Sequence, residues 1–248
     1  MWARLFVEVC FAICDILHLS VKGKKVNDYN KYTALFCIRG AALRRFNEVL
    51  CLCENGYPEG AYAHARLLFE HYVVSCFLSS DTDEISKAYF DSAEIDAESE
   101  AKHYEWARDS EQFAQEKAKA KAEGKVFKVT ISSLFSKVNE SHKDHIQGWD
   151  LSNSKFRKSY NDRSAYGHVS AKSVRGRFSR EPECKKTFDV GRQFVGMEAG
   201  IYCGINELLA IMVIYMNHIE LEILTVKKED LLVMCSVLHC LHNKIFLV

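Results

Sequence analysis

Proline is almost missing from this sequence, which has two in 248 residues, Pro58 and Pro182. So few helix breakers leave room for long helices and argue against a loop-rich β-sandwich. Strand-type alternation bounded by Gly or Asn-Gly turns does not recur, and Lys125-Val126-Phe127-Lys128-Val129-Thr130-Ile131 is the one ambiguous stretch. Net charge is missing as well, because 33 basic and 33 acidic residues cancel. Such a chain does not attract DNA by overall charge. There is no C-x-x-C pair, no P-loop, no dinucleotide fingerprint and no G-x-S-x-G elbow. Nucleotide-cofactor and serine-hydrolase chemistry therefore have no motif here, and no cofactor is expected.

What is present is hydrophobic residues at 48%, arranged mainly at helical spacing. The fold class expected is all-α, a bundle of long helices forming a single domain over residues 1–248. Ten cysteines sit mostly inside apolar runs, where the thiol behaves as a small hydrophobe. The amino terminus is apolar but charged at Arg4, Glu8 and Asp15, unlike a signal-peptide core. Reduced thiols and a cytoplasmic protein are expected. Residues 199–217 come nearest to a membrane span, but Asn206 and Glu207 lie near the middle, where a carboxylate is costly. A buried core helix and no membrane partner are expected.

Helices are predicted over residues 2–19, 29–54 and 59–79, with Asn55-Gly56-Tyr57-Pro58 stopping the second through a Gly cap and a following Pro. Asp81-Thr82-Asp83-Glu84 should cap the next helix, a long charged one reaching about Glu123, whose Ala/Lys/Glu tail projects into solvent. Shorter elements are expected near 130–140 and 152–172, then a basic loop over 173–190, and helices over 191–223 and 228–246. Charge is segregated along the chain. Residues 81–111 carry eleven acids against three bases, and 151–192 carry eleven bases against four acids. The basic segment either holds a phosphate or docks against the acidic one.

Two motifs carry candidate chemistry. Arg66 and Glu70 are four apart in Arg66-Leu67-Leu68-Phe69-Glu70-His71-Tyr72, so they share one face of a helix. That face continues through Val73, Val74 and Phe77, which puts the carboxylate on apolar surface where it must be paired or held neutral. An intrahelical ion pair and a buried Glu orienting a group from another helix are both open. In Tyr160-Asn161-Asp162-Arg163-Ser164-Ala165-Tyr166-Gly167-His168, Tyr160, Ser164 and His168 form a polar row at spacing four with Arg163 beside it. The row is either hydrogen-bonded helix packing or, with an imidazole beside a guanidinium, acid–base equipment for a phosphodiester. His142, His145, Cys235, His239, Cys240 and His242 offer soft ligands, but no zinc-type set accompanies them and no metal is expected.

These motifs resemble an uncharacterised bacterial all-helical family, a domain of unknown function with an R-x-x-x-E helix and a later Tyr…Ser…His segment. The resemblance covers about residues 30–220, with the terminal helices packed onto that core. More loosely, Arg163-Ser164-Ala165-Tyr166-Gly167-His168 is similar to the R-x4-H signature of HEPN ribonucleases of toxin–antitoxin, abortive-infection and CRISPR-associated systems. That likeness implies metal-independent cleavage of single-stranded RNA, with His168 as acid/base and Arg163 clamping phosphate. Tyr160, Ser164, Glu70 and Arg66 support the site. It also implies a homodimer sharing the site, here through an apolar helix face, and a cognate inhibitor protein. On a continuous helix five residues turn about 500°, so Arg163 and His168 converge only through a helix break or across two copies. The alternative is a non-catalytic binding or sensor module in which the Glu/His/Tyr/Ser cluster is structural or holds a small ligand.

Overall fold

The turn at Asn55–Pro58 sets the first long-range contact. Gly56 has φ 78; its N–H donates to the Cys53 carbonyl, and the Tyr57 N–H donates to the Leu52 carbonyl at 2.8 Å. This pair of bonds is the Schellman ending, in which a left-handed residue is cheapest as Gly. Pro58 then opens the following helix at a position where a missing N–H costs nothing. The computed structural model describes residues 2–21, 25–90, 118–119, 197–218 and 228–246. Every regular element among them is helical: α1 (Trp2–Val21), α2 (Tyr29–Glu54), α3 (Pro58–Ser80), α4 (Met197–Asn217) and α5 (Lys228–Phe246). Residues 83–90 are helical too. The all-α expectation stands.

The cross-helix contacts give the directions. Phe6 meets Phe46 edge-on, His18 lies beside Phe36, and Arg4 bonds both Asn47 and Glu54, so α1 runs antiparallel to α2. Gly200 faces Cys53 and Ala61, Gly204 faces Phe46 and Leu68, and the Tyr215 ring packs at a tilt against Tyr32 and Phe36. Helix α4 is therefore antiparallel to α2 and parallel to α3. The core lies between these three helices, with Phe46, Leu68, Phe69, Tyr72, Ile205, Leu208 and Tyr215 sealed from solvent.

Helix α4 is apolar and long enough to cross a membrane by length and composition, with mean hydropathy 1.6, yet half of that window is buried inside the fold. Its seat depends on two glycines one turn apart. A Cβ on Gly204 would stand 2.7 Å from Phe46 Cδ2, and one on Gly200 would touch Ala61. At Gly204 the α4 backbone thus lies against the Phe46 ring with no room for a methyl group, while at Gly200 a Cβ would make ordinary contact with α3 and α2.

Several boundaries differ from the sequence reading. Helix α1 continues to Val21, and α4 ends at Asn217 instead of near residue 223. The ending has a cause: the His218 N–H turns back to the Tyr215 carbonyl, and its ring reaches the carbonyls of Ile214 at 2.9 Å and Ser79 at 3.0 Å. The imidazole thus sits at the C-terminal ends of α3 and α4 together, where carbonyls lack partners. The acids at 81–84 are also used differently. Asp81 Oδ1 does accept from the Thr82 N–H, but the Asp83 carboxylate accepts from the Lys31 N–H at 2.8 Å and from Asn30 Nδ2. Asp83 therefore caps the first turn of α2, whose own Asp28 makes no side-chain cap bond. The projecting tail, the elements near 130–140 and 152–172 and the loop over 173–190 fall outside the described residues, apart from the helical pair 118–119.

Because the Phe46 ring is fully buried and cannot move aside, Gly204→Ala is expected to destabilise the fold by about 1–3 kcal/mol. Urea unfolding of the two proteins measures this; equal midpoints would mean that α4 does not seat on Phe46.

Candidate functional site

The described polar groups gather on α3 and the facing side of α2. On α3, Arg66 Nε donates to Glu70 Oε1 at 2.9 Å, and both side chains are about a quarter exposed or less, at 25% and 20%. The expected ion pair is present, and Val73 and Phe77 continue the same face into the core. The carboxylate that is sealed in the core is a different one: Glu207 of α4 is 2% exposed, and its charge is felt at Tyr72 of α3. Burial, the nearby Cys76 thiol and the Glu207 charge all drive the Tyr72 phenol far above its ordinary range. Burial likewise pushes Cys14 and Cys53 up to about 11 and Cys76 to about 12. These thiols stay protonated and pack as apolar groups.

A second cluster was not singled out from the sequence. Glu48 Oε2 on α2 accepts from Arg45 Nη1 at 2.7 Å and lies 2.7 Å from His64 Nδ1 on α3. Desolvation pushes the Glu48 carboxyl upward, but Arg45 and then His64 outweigh it and hold the group below its usual range. One helical stripe further along, His71 is held below its ordinary value, chiefly by burial and also by Arg45, while the Leu67 carbonyl and Glu70 act in the opposite direction. Arg45 and Glu48 are three apart, which is visible in sequence. The partnership with His64 exists only because the 55–58 turn folds α3 back along α2.

A buried cation lies deeper in the bundle. Arg39 is 4% exposed, and its guanidinium carbon sits 4.4 Å from the Phe36 ring centre and 4.3 Å from that of Tyr215. Its Nε and Nη1 have no hydrogen-bond partner, so the two aromatic faces are its main compensation.

At the carboxyl end, His242 Nε2 pairs with Asn206 Oδ1 at 2.8 Å, and His239 stacks on His242 while meeting Asn243. These ring nitrogens join α5 to α4 and to itself. Among the described residues no three His, Cys, Asp or Glu side chains gather as a metal would need. Arg163, His168, Tyr160 and Ser164 lie outside the described residues. The arrangement that is described supplies carboxylates paired with guanidinium groups one turn away, Glu48 with Arg45 and Glu70 with Arg66.

A helical bundle with its polar groups along an α2–α3 seam is the class that these observations define. Within it the chain belongs to the family of unknown function DUF5677, whose model matches residues 32–183. The match takes in nearly all of α2, the whole of α3 and the positions of Tyr160 to His168. It stops well short of residue 220, so α4 lies outside it together with α1 and α5. No curated protein and no solved structure matches the chain.

The Arg66–Glu70 pair is partly solvated, and a double-mutant cycle on it is expected to give a coupling of about 0.5–1 kcal/mol. A value above about 2 kcal/mol would mark it as a desolvated pair. His71 sets a pH dependence. The folded chain binds its proton more weakly than the unfolded chain, so its stability contribution is complete above about pH 6.5 and is lost as pH falls through the depressed folded value. The melting temperature should therefore drop from pH 7 to pH 5, and His71→Gln should flatten part of that slope. An unchanged slope in the variant would remove His71 as its cause.

Proposed function

We propose that the chain is a metal-independent, HEPN-like RNA-cleaving effector of microbial defence or toxin–antitoxin type. The observation that carries this reading is the Arg163…His168 pair, spaced R-x4-H with a polar residue after the Arg. It lies in the most basic segment of a neutral chain, where eleven bases face four acids over residues 151–192. Local positive charge of that kind holds a phosphate backbone. The family match supports treating the two motifs as parts of one unit, since it spans Arg66 and Glu70 as well as Arg163 and His168.

In this reading His168 takes the proton of a ribose 2′-hydroxyl. The oxygen attacks the adjacent phosphorus, and the bond to the 5′-oxygen breaks. The leaving oxygen takes up a proton, leaving a 2′,3′-cyclic phosphate and a 5′-hydroxyl end. Arg163 stabilises charge building on the phosphoryl oxygens. Tyr160 and Ser164 line the site, and Glu70 with Arg66 braces it from α3. The substrate is single-stranded RNA, a cognate inhibitor protein restrains the effector, and two copies share the site. No cofactor takes part, and the effector acts in the cytoplasm.

The second reading, a non-catalytic helical binding or sensor module, draws on the pairing of Arg66 with Glu70 and of Glu48 with Arg45 and His64. Polar groups that satisfy one another serve structure without any reaction.

Purified protein is expected to cut single-stranded RNA in the presence of EDTA and to leave 2′,3′-cyclic phosphate ends. His168→Ala and Arg163→Ala should each lower the rate by about 10²–10⁴-fold with the helical fold intact. Wild-type expression should slow bacterial growth where neither variant does. Cleavage that survives His168→Ala, or no cleavage of any single-stranded RNA, would leave the binding-module reading in its place.

A further inference from the structure

Helix α1 is apolar on two sides. One side packs into the bundle through Phe6, Cys10, Ile13 and Leu17, all nearly sealed from solvent. The other carries Trp2, Leu5, Ala12, Ile16 and Leu19, all exposed, Leu19 by 66%, with Val9 between them half-buried at the edge of the core. The apolar surface of α1 is therefore wider than the face that the bundle covers, with Arg4, Glu8 and Asp15 on the remaining flank. Arg4, a charge on this part of the helix, is occupied by Glu54.

The outer residues follow one another at intervals of three, four, three, four and three. That is the a/d spacing of a two-helix seam, not the broader stripe of a helix lying on a globular core. We infer that this stripe is a self-pairing surface and that its occupant is α1 of a second copy of the chain, running antiparallel. The antiparallel register is self-complementary. It sets Trp2 against Leu19 of the partner subunit, Leu5 against Ile16 of the partner subunit and Val9 against Ala12 of the partner subunit. Bulk meets bulk at the ends, and a small residue at the centre allows the axes to approach.

The area is of the right order. Trp2, Leu5, Ile16 and Leu19 are 38%, 43%, 38% and 66% exposed, and at roughly 150–250 Å² for a large apolar side chain they leave on the order of 300–450 Å² open per copy, against about 800 Å² per partner in a standard interface. Exposed Glu8 and Asp15 border the seam and come onto one flank when two copies pair. Like charges there oppose association until salt screens them, so added salt should tighten the pair. An anionic membrane would also meet that acidic border and repel it. The inference does not rest on the nuclease reading: a chain that pairs through α1 without cutting RNA sinks the latter alone, and a monomer that cuts RNA sinks the pairing and the shared site while leaving the cleavage chemistry.

Sedimentation velocity on the full chain provides the test. The wild type is expected to be a dimer at micromolar concentration, with a dissociation constant that falls as sodium chloride is raised. L5E/I16E places carboxylates at two exposed positions, so its helical circular dichroism should match the wild type while its dissociation constant rises by about 100-fold or more. A folded L5E/I16E chain that remains dimeric would overturn the proposal, as would a wild type that is monomeric throughout. Flotation of a monomeric wild type with phosphatidylcholine vesicles, lost in L5E/I16E, would assign the stripe to a lipid surface and equally overturn the pairing. If L5E/I16E does not fold, Ile16→Lys alone serves as the variant, judged by the same two outcomes.

Discussion

The described bundle depends on how closely α4 approaches the α2–α3 hairpin. At Gly204 there is no space even for a methyl group against the Phe46 ring, and at Gly200 the neighbours are Ala61 and Cys53. That approach buries Ile205, Leu208, Ile211 and Met212, and it brings Tyr215 beside Phe36 and over Arg39. Removing the seat would uncover a helix as apolar as a membrane span. The family match ends before α4, so the residues that complete the α2–α3 core come from outside the matched unit.

Two charges sit inside this core, one on each side of the α2–α4 contact. Arg39 has aromatic faces in place of a carboxylate, and Glu207 lies near the Tyr72 phenol. Desolvating an ion costs several kcal/mol, and a desolvated cation over an aromatic ring recovers about 2 kcal/mol or more. Such groups contribute little to net stability, but they penalise other alignments of α2 and α4 that would strand the same charges without their neighbours. The aromatic cluster of Tyr32, Phe36 and Tyr215 thus takes part in both packing and charge compensation.

The α2–α3 seam works in another way. Arg45, Glu48 and His64 are all partly solvated, and His71 lies just beyond them. Glu48, shared between the Arg45 guanidinium and the His64 imidazole, is held below its usual range. Such a seam can brace a site built from another part of the chain. It can also be a finished structural network in its own right, and the chemistry assigned to Arg163 and His168 separates the two roles.

Local physics made part of this legible from residues alone. The Gly56–Pro58 turn follows from one left-handed residue and one missing N–H, and the Arg66–Glu70 pair from a spacing of four on a helix. The helix class follows from the scarcity of proline and from apolar spacing. Wherever two segments distant in sequence had to meet, the sequence was silent or misleading. Asp83 reads as the cap of its own helix because nothing local says that the start of α2 lies within reach. Glu48 and His64 are sixteen residues apart, and only the hairpin joins them. Glu70 looks like the buried carboxylate because apolar residues follow it, whereas Glu207 is the one that is sealed, since α4 packs against α2 and α3 on that side. Sequence by itself determined which segments coil and where a helix must stop, because those depend on backbone torsions and neighbours within a turn. Tertiary structure alone decided which charges are buried and which polar groups meet, because burial depends on what packs from elsewhere in the chain.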